Sequence, residues 1–519
     1  MQKSHGCEIA NAHIVHYCPR KRPIFSIMWP SPKHVREIFA RWRPARSHRW
    51  SRRPATPALA VPNLKAPRSR ATLQGRPGSY RQMFSNLIAI ALSSVLAGAP
   101  SGARSLMPGE LAVVSSGTLV LVTSGRTRRV VTGAGAVSQP AWSPGGKWVA
   151  FLQGGSALWA VGADGSGAHR VSPAGGDVSE FSWVRGRKGG DLAFSMSDKT
   201  SYASKIYVAA PAAPKLREIG AYSELIDFSV APPGNALAVS YRQGPPPAGN
   251  RPPAWKGVLA VVPLNGVNGG PRRVVYTLPQ GGYVLLGPGW WPDGKGLLFW
   301  DDPAGSASIA ADGLSLDSLD LATGRVSTLA TTLTYSNWVS WSPTGKTVAV
   351  VSGGNRIIWD SAKHLVLCSV PSVHCHHVPL PSPNSMSLDP TWTPAGSLVY
   401  DVAPASTSPG ALVPPGPSIN GTIPFSERNV EAWYGRMGLH QLGPSGSSGH
   451  RLAGAPTGAH DPLALPDGIL FVRGAPAGLW YLPTGAPSAE RVANGLAVPS
   501  QYGNYYGYIP WYEDFAWHA

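Results

Sequence analysis

Residues 138–171 read SQPAWSPGGKWVAFLQGGSALWAVGADGSGAHRV, and this stretch decides the fold. Pro140-Ala141-Trp142 is a short extended run. Ser143-Pro144-Gly145-Gly146-Lys147 is a tight turn, with Pro preset for its first central position and Gly free to take positive φ. WVAF (148–151) is a second strand of β-branched and aromatic residues. Gly154-Gly155-Ser156 leads to a third strand, LWAV, and Ala163-Asp164-Gly165-Ser166-Gly167 reverses the chain into HRV. Four short antiparallel strands cannot bury two apolar faces alone, so the unit needs similar sheets on both sides.

The unit recurs as FSWVRGRKGGDLAFS (181–195), FSVAPPGNALAVS (228–240), PGWWPDGKGLLFW (288–300), VSWSPTGKTVAVVS (339–352), PTWTPAGSLVYDV (390–402) and PLALPDGILFVRG (462–474). The equivalent first-strand residues are Trp142, Trp183, Val230, Trp290, Trp341, Trp392 and Ala464, spaced by 41, 47, 60, 51, 51 and 72. The shorter spacings match a four-stranded propeller blade of roughly 40–45 residues. The pattern W-S-P-x-G-K-x-[VIL]-[AV]-[FV], followed by L-W-x-V-x-A-D-G-S-G, resembles the WD-like repeat of TolB-type β-propellers. The resemblance covers about 107–519 and implies an envelope scaffolding role. TolB proteins proper carry an α/β domain ahead of a six-bladed propeller, and no room for one lies between 104 and 107.

Before the first full unit, GELAVVSSGTLVLVTSGRTRRVV supplies three strands but lacks the aromatic first strand. Phe515-Ala516-Trp517 near the other end matches PAW and FSW. The expectation is an all-β propeller of eight four-stranded antiparallel blades, its ring closed by the C-terminal strand, which removes exposed sheet edges. Seven blades is the alternative, because 203–280 and 403–495 are irregular. No amphipathic stretch of helical period stands out beyond the N-terminal region.

The formal net charge of +18 is unevenly placed. Residues 1–82 hold 17 Lys and Arg against 2 Asp and Glu, whereas residues 83–519 hold 28 against 25. The propeller is nearly neutral, and no nucleic-acid partner is expected. The segment 1–82 reads as a basic disordered or non-native extension. The run LIAIALSSVLAGA (87–99), followed by Ser101-Gly102-Ala103, outlines a secretory signal peptide over 83–103 and is too short to span a bilayer. The expected location is extracytoplasmic: periplasm, envelope or medium.

In such a blade the turns joining strands one and two, and three and four, share one face. The strand two–three loops and the inter-blade connections share the other. The long segments 241–257, 301–313 and 403–429 fall in the second class, and insertions on one face mark a binding face. This makes Tyr241, Arg242, Asp301 and Asp302 candidate ligand residues. The connection QYGNYYGYIPWY (501–512) lies on the same face, and its Tyr502, Tyr505, Tyr506, Tyr508, Trp511 and Tyr512 read either as a stacking platform for a sugar or peptide or as a plug of the channel.

Cys368 and Cys375 fall opposite one another on a hairpin, which suits a disulfide. A metal site built from them with His374, His376 and His377 is disfavoured, because adjacent strand residues point to opposite faces. The serine-hydrolase elbow G-x-S-x-G is absent, no carboxylates are spaced for acid–base work, and no cofactor motif occurs. The reading is a monomeric, non-catalytic binder of a protein or peptide. The alternative is a propeller hydrolase or lyase acting on a sugar or lactone at the channel mouth.

Overall fold

The protein is described by a computed structural model over residues 107–519, apart from 124–125, 131–134, 186–189, 198–202, 245–254, 265–269, 304, 307–308, 310–311, 407–411, 413–426, 445–448 and 497–506. The basic and signal-like segments lie outside the described residues, as do Tyr502, Tyr505 and Tyr506.

The described strands form eight four-stranded antiparallel sheets, the blades of a propeller. Seven are consecutive in the chain and begin at Val137, Asp177, Leu225, Tyr283, Val339, Ser385 and Ala459. The remaining blade joins the two ends. Glu110–Ser115, Thr118–Thr123 and Arg126–Arg129 are completed by Phe515–His518, with Val113 opposite Phe515 and Leu111 opposite Trp517. We number this blade one and the others two to eight in chain order. The eight sheets exclude the seven-blade alternative, and this pairing closes the ring with the C-terminal strand as expected.

Second strands run through the middle of each blade and are buried on both faces by the neighbouring blades. Hence Trp148–Gln153 and Gly468–Arg473 show continuous burial rather than alternation. The first-strand Trp has a further task. The Trp183 indole N–H donates to the Ala141 carbonyl, Trp290 to Ser229, and Trp392 to Ser340. Each acceptor precedes the equivalent first-strand position of the preceding blade, so one residue type both fills the gap between blades and ties their backbones together. The same bond closes the ring: Trp142 donates to the Ala516 carbonyl at 3.1 Å.

One helix, Glu427–Tyr434, interrupts the pattern inside blade seven, contrary to the expectation of no helical stretch. Val430, Trp433 and Tyr434 are its buried stripe, at the i, i+3, i+4 spacing, and buried Met437 follows just past its end. They pack with Ile358, Trp359, Tyr508, Ile509 and Trp511 as an apolar cap continuous with the core of blades six to eight.

Candidate functional site

Three residues before each first-strand marker, the eight blades carry Gln139, Glu180, Asp227, Gly287, Trp338, Asp389, Asp461 and Asp514. Five of the eight are acidic. In several blades the strand pairing slips here, between Val178 and Glu180, Leu225 and Asp227, Leu388 and Thr391, and His460 and Leu463. Such a bulge re-aims a side chain. Gln139, Asp389 and Asp461 take φ of 53°, 46° and 50°, the left-handed region, and each precedes a proline. Asp and Asn tolerate that region better than most residues.

These side chains join neighbouring blades. Glu180 Oε2 accepts the Phe228 N–H at 3.3 Å, and Asp227 Oδ2 accepts the Leu286 N–H at 2.6 Å. Glu180 and Asp227 are also hydrogen-bonded to each other, which requires a proton on one of them. Burial pushes the Glu180 carboxyl well up and Asp227 up to about 6.

The densest group sits between blades seven and eight. Asp389, Asp401 and Asp461 offer carboxylate oxygens that all lie within 4.8 Å of one another, and none of the three is more than 5% exposed. The Asp461 N–H donates to Asp401 Oδ2 at 2.8 Å. Asp389 Oδ1 accepts from Asn337 Nδ2 at 2.7 Å and from the Tyr508 hydroxyl at 3.2 Å. The Asp389 and Asp401 carboxyls also face each other. Desolvation first, and then mutual repulsion, raises Asp389 and Asp401 well above the ordinary carboxylate range; burial alone does so for Asp461. His460 Nδ1 lies 2.9 Å from Asp461 Oδ2. Burial takes the imidazole down to about 3, so this contact is a hydrogen bond of a neutral ring and not an ion pair. A cavity of about 100 Å³ adjoins it, lined by Tyr434, His460, Ile509 and Trp511 among others. Chemically, three buried carboxyls this close either share protons or surround a hard cation.

The sequence-predicted residues divide into separate places. Tyr508 stacks on Tyr335 with centroids 4.0 Å apart and bonds Asp389, and Trp511 lies 6.2 Å from His460. Tyr512 is mostly buried and its hydroxyl is raised by desolvation. The described part of the aromatic segment is therefore packing for the acidic cluster. Arg242 Nη1 pairs with Glu224 Oε1 at 2.6 Å, and its guanidinium lies over the rings of Trp255 and Tyr283 at 4.8 and 4.9 Å. Tyr241 packs on Tyr222. Asp301 Oδ2 accepts the Tyr276 hydroxyl at 2.9 Å, and buried Asp302 accepts the Ser306 N–H at 3.2 Å. These four are engaged within and beside blades four and five, away from the carboxyl cluster. Cys368 and Cys375 are joined as a disulfide. Asp389, Asp461 and His460 were missed, although the Asp-Pro pair in LDPTW and HDPLA, set against SQPAW, marked the bulge.

No family model and no curated protein matches the chain. Among solved structures, it is similar to TolB from Acinetobacter baumannii at 18% identity, over 57% of this chain and 68% of that one, with a TM-score of 0.32. A putative TolB from Agrobacterium tumefaciens is 14% identical over 72% and 98% of the two chains, with a TM-score of 0.31. A puromycin hydrolase is 16% identical over 72% and 56%, with a TM-score of 0.44. Likenesses at this level carry no argument of their own, and the propeller rests on the strand pairing described above.

Proposed function

We propose that the protein is an exported, non-catalytic propeller of TolB-like type that binds a protein or peptide on the face of its strand two–three loops. The observation that carries this reading is where the chain is long. The segments 244–255, 303–313, 353–363, 405–437 and 495–514 separate strands at one face, while 143–147, 291–295, 342–346 and 393–397 turn tightly at the other. The other face has 210–216 and 264–272 as its longer turns, so the longest segments, 405–437 and 495–514, gather on one face. Two features support export: the apolar run 87–99 with small residues after it, and the Cys368–Cys375 bridge, which suits an oxidising compartment.

The test replaces 407–426 with a short Gly-Ser linker and compares cross-linked partners by quantitative mass spectrometry of envelope and medium fractions. A partner kept by wild type and by a 393–397 turn variant, but lost from the linker variant, is the expected result. A protein found only in the cytosol, or partners indifferent to the linker, would overturn the reading.

A second reading, a hydrolase or lyase for a sugar or lactone, is favoured by one observation: Asp389, Asp401 and Asp461 converge behind the cavity beside His460. That cavity holds about 100 Å³, against roughly 300–1,000 Å³ for sites of drug-sized ligands. Turnover of a sugar or lactone substrate that Asp461→Asn abolishes would establish it.

A further inference from the structure

Blade six carries a group of histidines used neither by the acidic cluster nor by the proposed partner face. The disulfide consumes both thiols there, leaving His364 on the third strand and His374, His376 and His377 on the outer strand. The register sets Val366 against His377, Leu367 against His376, Cys368 against Cys375 and Ser369 against His374. Side chains alternate along strands, so His364 and His377 share the face of the disulfide while His374 and His376 point to the other. Packing agrees, since Val366, Cys368 and Cys375 belong to the core shared with blade five, and Leu365 and Leu367 to the core on the opposite face.

The shared face brings the two imidazoles together, with ring centroids 4.7 Å apart and planes at 53°. The His364 ring is also hydrogen-bonded to the Ala362 carbonyl. An imidazole whose N–H is held by a carbonyl presents its other nitrogen as a lone pair, the arrangement that orients metal-binding histidines. Two nitrogens each about 2.0–2.1 Å from one ion are about 3 Å apart, within reach of rings at this separation by small side-chain rotations.

We propose that His364 and His377 form a two-imidazole site for a divalent transition ion, Ni²⁺, Cu²⁺ or Zn²⁺, on the side of blade six that faces blade five. Imidazole suits these ions, with Cu²⁺ bound most tightly, and water completes the coordination. Both histidines remain partly accessible, so the ion enters without disturbing the core.

The experiment uses the untagged full chain, stripped of metal with EDTA and dialysed against a fixed free Ni²⁺ concentration, with bound nickel counted by mass spectrometry. The chain holds 14 histidines, so the difference between variants is the readout rather than the total. His364→Ala and His377→Ala should each bind one ion fewer than wild type. The double variant His374→Ala/His376→Ala should bind as wild type does, and excess Mg²⁺ should change nothing. Exposed His377 is not needed for folding, which a melting curve checks. Equal nickel in wild type and His377→Ala, equal loss in the double variant, or displacement by Mg²⁺ would each overturn the site.

Discussion

Replacing Asp514 with Asn should flatten the pH dependence of stability. Asp514 leads into the closing strand, is 4% exposed, and has Oδ2 without a hydrogen-bond partner among the described residues. Burial, and then the adjacent Glu513 charge, pushes its carboxyl from 3.8 up to about 8. An acid raised on folding keeps its proton in the native state while the unfolded chain releases it. Its contribution is therefore whole below about pH 4, is lost as pH rises towards about 8, and changes no further above that. The slope is about 1.4 kcal/mol per pH unit inside that window. Asn has the same shape and no charge to desolvate, so Asp514→Asn should gain about 3 kcal/mol on wild type between pH 5 and pH 7. With a urea dependence of about 3 kcal/mol/M, that is roughly 1 M in the unfolding midpoint. Urea titrations followed by tryptophan emission at half-unit pH intervals would measure it. Parallel curves for the two proteins across the window would refute the reasoning, because they would mean that Asp514 is ionised and solvated in the native ring.

Three further outcomes follow from the geometry. Trp142→Phe keeps the apolar ring but loses the indole bond to Ala516, and should destabilise the closed ring by about 1 kcal/mol in the same titration. Gly507 sits at φ +85° with the place of a Cβ only 2.0 Å from the Trp359 ring, so Gly507→Ala should cost several kcal/mol, about 2 or more, and lower the melting temperature. Reducing the Cys368–Cys375 bridge opens a loop with a sequence separation of 7 and should cost about 2–3 kcal/mol, read as the melting difference between the oxidised protein and Cys368→Ala/Cys375→Ala.

The blades were legible because each repeats a local device, an aromatic followed by a Pro-Gly turn, and local devices leave a mark in sequence. The closing strand was legible for the same reason, since Phe515-Ala516-Trp517 copies a first strand. The acidic cluster was far harder to see. Its slot holds Gln139, Gly287 and Trp338 in other blades, so the position repeats but the chemistry does not. Asp401 comes from a second strand and meets Asp461 across a blade boundary at a separation of 60 residues. Arg242, Asp301 and Asp302 were singled out for their charge on a long-loop face, yet that charge is balanced or hydrogen-bonded by nearby groups. The helix stripe at Val430, Trp433 and Tyr434 was written at helical period but is only one short helix long, just after the segment 403–429 read as a loop.

The seam between Glu110–Ser115 and Phe515–His518 imposes an order on synthesis. The other seven blades are each built from consecutive strands, but blade one waits as three strands with an open inner edge until Phe515–His518 has been made and released. Through that interval the nascent protein carries an unpaired strand, and a chaperone or a neighbouring nascent chain competes with its own tail for that edge.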